Sequence, residues 1–152
     1  MKKLTYKDTY GINDRVFRTK EELMERKIRT IEVVGEVVYE DDKGTYLASV
    51  VNGSTFGKVL YIPKDCNTEL YEFGDTDRCD NGYCLFSEVQ SIGYSRNYTV
   101  GELLEKGVPP KVEYYGFVVG EDSEKIVLAT ERNEDGEFRT INIIPKGDNY
   151  EE

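Results

Sequence analysis

Three cysteines and two acidic pairs are the residues of this chain best suited to chemistry. Cys66, Cys79 and Cys84 fall in the segment "CNTELYEFGDTDRCDNGYC", where Asp75, Asp77 and Asp80 lie close by. Three thiolates and a carboxylate can hold zinc, but the spacing is not C-x2-C, and the chain contains no histidine to complete a set. The acids of "DTDRCDNG" lack the spacing of a calcium loop and its twelfth-position Glu. Glu40-Asp41 and Glu121-Asp122 precede hairpin-forming stretches, where Asp is expected to bond its own backbone and shape a turn. The missing histidine also removes the commonest general base and every Ser-His or Cys-His pair. No phosphate loop or nucleophile–base pair appears. The expectation is a protein that is not an enzyme and has no cofactor and no metal. An odd number of cysteines suits a reducing compartment.

Charge narrows the partners. The 152 residues carry a net charge of −10 and the pI is near 4.7. Such a balance repels phosphate at long range, so nonspecific nucleic-acid binding is disfavoured. Residues 1–30 hold nine Lys/Arg against five Asp/Glu, so residues 31–152 carry −14. An acidic face that docks on a basic protein fits this asymmetry. No apolar run approaches the roughly 18 residues of a membrane span, and "MKKLTYKDTYG" has no apolar core of a signal peptide. A cytoplasmic location is expected.

Two sets of residues are candidates for binding. Tyrosine occurs twelve times and tryptophan never. Tyr10, Arg15, Lys64, Tyr94, Arg96, Tyr98 and Lys146 would form an aromatic and cationic pocket for a small nucleotide or short RNA if the fold gathers them. The segment 65–92, with net charge −6, is a long excursion of the kind that often binds partners. Its Asp75, Asp77, Asp80 and Tyr83 are the candidate protein-binding residues.

The elements that must position these residues come from an internal repeat. Aligning residues 19–64 with 99–146 gives 17 identities over 46 positions, including Gly35/Gly116, Glu40-Asp41/Glu121-Asp122 and Ile62-Pro63-Lys64/Ile144-Pro145-Lys146. Each copy reads as a short helix capped by Thr19 or Thr99, with Glu22 or Glu102 three residues on. Three strands follow, at about 31–40, 45–52 and 56–63, and at about 112–121, 125–133 and 137–145, joined by "DDKG", "NGST", "EDSEK" and "NEDG". Gly35 and Gly116 are expected at a sharp bend or bulge. The domain reading is a lead-in at 1–18, a first repeat at 19–64, an acidic insertion at 65–92 and a second repeat at 93–152. Each meander needs one more strand to close. Candidates are "NTELYEF", "YCLFSEVQSI" and the N-terminal "LTYKDTY", or a second chain, so intimate packing of the halves or a homodimer is expected.

A helix, then Gly-x-Val-x-x-x-Asp, then an aliphatic strand and a closing Ile-x-x resembles the Sm-like family of small SH3-like barrels. The residues are Gly35, Val37, Asp41 and Leu47, and Gly116, Val118, Asp122 and Leu128. The resemblance implies a mainly β fold of two tandem pseudo-symmetric small barrels. It departs from the family's RNA-binding pattern: no Asn follows the Asp, and Ile-Pro-Lys stands where Ile-Arg-Gly is usual. The phrasing "GxVVxEDxxxxxLA…IPK" is also similar to small proteins of bacteriophages and mobile elements. That implies an accessory factor that binds and blocks a host protein, or else sequesters a small nucleotide or short RNA.

Overall fold

The computed structural model describes residues 1–72, 82–92 and 95–151. The chain is mainly β, with two short helices and two six-stranded antiparallel sheets. Its strands are β1 (Lys2–Asp8), β2 (Tyr10–Ile12), β3 (Arg29–Glu40), β4 (Gly44–Asn52), β5 (Thr55–Pro63), β6 (Glu69–Glu72), β7 (Gly82–Phe86), β8 (Gln90–Ile92), β9 (Val112–Glu121), β10 (Lys125–Arg132), β11 (Phe138–Pro145) and β12 (Tyr150–Glu151). The helices are α1 (Lys20–Met24) and α2 (Val100–Glu105). The sheets curl without closing into barrels.

The first sheet has the order β12-β1-β3-β4-β5-β8, and the second reads β6-β7-β9-β10-β11-β2. Position by position the orders are the same, with each strand replaced by its equivalent in the other copy. The structural repeat is therefore longer than the similar stretch of sequence. It runs from β1 to β6 and again from β7 to β12, so it takes in both the lead-in and part of the acidic segment. Each copy keeps its first, third, fourth and fifth strands together and sends its second and sixth to the other sheet. The N-terminal strand β1 pairs with β3, and β7 pairs with β9, which supplies the strand each meander lacked.

The helices are exchanged as well. Thr19 and Thr99 cap them as expected, each accepting a backbone N–H from the Glu three residues on. Each helix buries one leucine completely. Leu23 packs with Val119, Val127, Ala129, Ile141 and Ile143 of the second sheet. Leu103 packs with Tyr46, Ala48, Val59 and Tyr61 of the first. The order of elements in the repeat groups each helix with the strands that follow it. The structure attaches it to the other copy, because the short strand ahead of each helix runs along the far sheet's edge. Isolated bridges Arg18–Phe138 and Phe56–Tyr98 fasten these crossings.

The bend in β3 and in β9 is at Val38 and Val119, where the register with the next strand slips. Gly35 and Gly116, expected at that bulge, lie three residues earlier for a different reason. A Cβ on either would stand 2.5 Å from a backbone carbonyl oxygen, of Ala48 or Ala129. The glycines permit close approach of two strands. A second twin kink falls at Lys58 and Thr140, which hold left-handed φ of 48° and 60°.

Candidate functional site

The ring of Tyr83 on β7 is stacked on both sides. Its centroid lies 4.8 Å from Tyr71 of β6, with planes 13° apart, and 5.5 Å from Tyr115 of β9, with planes 29° apart. Strand register produces this row, because Tyr71 pairs with Tyr83 and Tyr83 with Tyr115. Adjacent strands are separated by about the thickness of a ring contact, so aromatic residues directly opposite one another stack. The next row along the same face is Glu69, Leu85 and Glu113. The outer tyrosines lean over it: Tyr71 donates to Glu69 Oε2 at 2.7 Å and Tyr115 to Glu113 Oε2 at 2.6 Å. That bond to Glu69 raises the Tyr71 phenol above its ordinary value.

Tyr71 and Tyr115 are 41% and 44% exposed, so the row is open to solvent. Its underside is not. Cys84 and Phe86, alternating with Tyr83, are fully buried with Cys66, Ile126, Leu128 and Ile144. The twin sheet carries Lys3 and Val34 at the positions of Tyr83 and Tyr115, and Lys3 pairs there with Glu32 at 3.3 Å. The same backbone thus forms without aromatics at these places. Stability of the fold does not account for the tyrosine row.

Such a face suits a cation on a planar group. A guanidinium stacks on tyrosine through the ring quadrupole, and carboxylates at the ring edges accept its N–H groups. Glu69 and Glu113 repel phosphate from the same surface.

The acidic pairs and the Ile-Pro-Lys motif explain each other. Asp41 Oδ1 accepts from the backbone of Lys43 and Gly44, and Asp122 Oδ1 from Glu124 and Lys125. Lys64 pairs with Glu40 at 3.5 Å and Lys146 with Glu121 at 3.0 Å. Each acid pair and lysine is a hairpin clasp, repeated in both copies.

Of the seven residues predicted for a nucleotide pocket, the six that are described do not meet in one place. Tyr10 packs on the second-sheet core and donates its hydroxyl to the Lys27 carbonyl at 2.6 Å. Tyr98 is buried in the first-sheet core. Arg96 lies over it, 4.2 Å from the ring, and bonds Glu102 at 3.0 Å. Arg15 is exposed in the loop after β2. Lys64 and Lys146 are in the clasps. Tyr94 lies outside the described residues. Of the predicted partner-binding residues, Tyr83 is the centre of the tyrosine row, while Asp75, Asp77 and Asp80 lie outside the described residues, as does Cys79. Burial pushes the Cys66 and Cys84 thiols up to about 12, so neither offers a thiolate at neutral pH.

Tyr71 and Tyr115 were not singled out from the sequence as binding residues. The alternation in "ELYE" and "VEYYG" shows that they face one way along a strand, but only the register aligns them with Tyr83. Compared with protein-family models, curated proteins and solved structures, the chain matches none.

Proposed function

We propose that this chain is a non-catalytic docking protein that holds a basic segment of a partner protein on the Tyr71–Tyr83–Tyr115 face. The observation that carries this reading is the solvent-facing three-ring stack with Glu69 and Glu113 fixed at its edge, built into one sheet and left out of its twin. The net charge of −10 supports the same choice of partner. In the setting implied by the mobile-element resemblance, the partner is a host protein and binding occludes its basic surface.

The test uses a short peptide of alternating Arg and Ser, titrated against the whole protein with tyrosine-ring NMR signals as the readout. Shifts centred on Tyr71, Tyr83 and Tyr115 are expected. Tyr83→Ala should weaken binding by about tenfold, since a cation–π contact covered by the bound peptide is worth about 1–2 kcal/mol. Shifts elsewhere, or unchanged affinity in the variant, sink the proposal.

A further inference from the structure

A cleft of about 390 Å³ lies against the first clasp, and its lining includes Lys43, Tyr61, Asp65, Ser87, Pro109 and Lys111. Comparison with the other copy shows what this cleft lacks. Ser87 and Lys7 occupy equivalent positions just after the first strand's core residues. Ser87 donates its backbone N–H to the Cys66 carbonyl at 2.8 Å, and Lys7 makes the matching bond to Asn149 at 3.0 Å. Lys7 sends its long side chain across the turn that follows β11, where Nζ donates to the Lys146 carbonyl at 2.8 Å. Asp148 stands in that turn as Asp65 stands in the cleft, and the two are joined by an antiparallel bridge. In the cleft, the four methylenes and the ammonium of the twin lysine are replaced by a serine hydroxymethyl.

We infer that this cleft binds a small linear zwitterion, an ω-amino carboxylate, whose ammonium takes the place of the missing lysine head. Asp65 supplies the countercharge, and Val108 and Pro109 cover the aliphatic chain. The carboxylate end is matched by Lys43, which has no ion pair among the described residues, and by Lys111, whose ammonium donates to the Asn67 carbonyl at 3.3 Å and lies 3.8 Å from Glu69. Paired charges of both signs in one small recess select a zwitterion over a plain anion or a plain amine, because either of those leaves one set of lining charges uncompensated.

Isothermal titration of the full chain with 6-aminohexanoate, n-butylammonium, hexanoate and inorganic phosphate tests the assignment. Saturable binding of 6-aminohexanoate is expected, at least about tenfold tighter than the other three. Ser87→Lys restores the side chain that the twin copy tolerates, so it should fold with an unchanged melting temperature and lose the ligand. Asp65→Asn is the second variant and should weaken binding without filling the cleft. The inference is overturned by no heat with 6-aminohexanoate at millimolar concentration, by phosphate binding as well or better, or by affinity that survives both substitutions. The cleft adjoins the tyrosine row through the Glu69–Lys111 pair, and neither Ser87→Lys nor Asp65→Asn alters that pair, so the two results stay distinguishable.

Discussion

Leu23, on the helix of the first repeat, is buried in one cluster with Val119, on a strand of the second. Leu103 does the reverse, packing with Tyr46 and Val59 of the first sheet. Each half of the molecule therefore holds a piece of the other in its core.

Truncating these leucines should loosen the far sheet. Leu23→Ala and Leu103→Ala are each expected to cost about 2–5 kcal/mol, the range for a fully buried leucine. Hydrogen exchange locates the damage. In Leu23→Ala the amides of β9, β10 and β11 should exchange faster relative to those of β4 and β5, and in Leu103→Ala the order should invert. Faster exchange in the strands that follow each helix in sequence would contradict the crossed packing.

Gly35→Ala and Gly116→Ala should both destabilise by about 2 kcal/mol, within the usual range for overpacking. The added methyl meets a backbone carbonyl in either case, which cannot swing away as a side chain can. Equilibrium urea denaturation of the two variants reads this directly. Equal losses are expected because the two contacts are alike.

Asp122 and Asp41 shape equivalent turns, yet they are not equivalent energetically. Lys125, where the first copy has Gly44, is 4% exposed and bonds Asp122 Oδ2 at 2.6 Å. Burial alone would raise the Asp122 carboxyl, but the Lys125 bond and two backbone N–H donors outweigh it and hold it below its ordinary value. Asp122→Ala strands the Lys125 ammonium and, because the carboxylate it loses is partly exposed, should cost about 2 kcal/mol. Asp41→Ala loses only its turn bonds and should cost about 1 kcal/mol. Paired thermal melts compare them.

Acid should weaken the fold through paired surface carboxylates. Bonds from Arg139 and then Thr140 hold Glu131 below its ordinary 4.5. The Thr99 backbone N–H and then Arg96 do the same for Glu102. A carboxyl whose folded value is depressed stabilises fully above its unfolded value and loses that contribution as pH falls through the folded one. The melting temperature should thus fall as pH drops below about 4.5, the unfolded glutamate range. Glu131→Gln should have a shallower slope of melting temperature against pH in that window. A slope equal to wild type would show that the bonds from Arg139 and Thr140 to Glu131 contribute nothing.

Much of this architecture could be read in advance because it is local. Thr19 and Thr99 cap their helices through bonds three residues long. Asp41 and Asp122 close their turns within three residues. The strands of each meander follow from alternation and from hairpin residues. The first strand of each repeat was hidden for a different reason. Residues 2–8 and 82–86 share alternation, with Leu4 and Tyr6 matching Cys84 and Phe86, but no identity. Packing constrains which side faces inward and is satisfied by different apolar residues.

From the chain alone came the repeat, the mainly β class, the turns and caps, and the acidic character that favours a basic partner. All of these depend on neighbours within a few residues or on summed charge. Tertiary structure alone decided the exchange of helices and edge strands, the alignment of Tyr71, Tyr83 and Tyr115, and the recess beside Ser87. Each of these rests on register or contact between residues far apart in sequence, which no local pattern encodes.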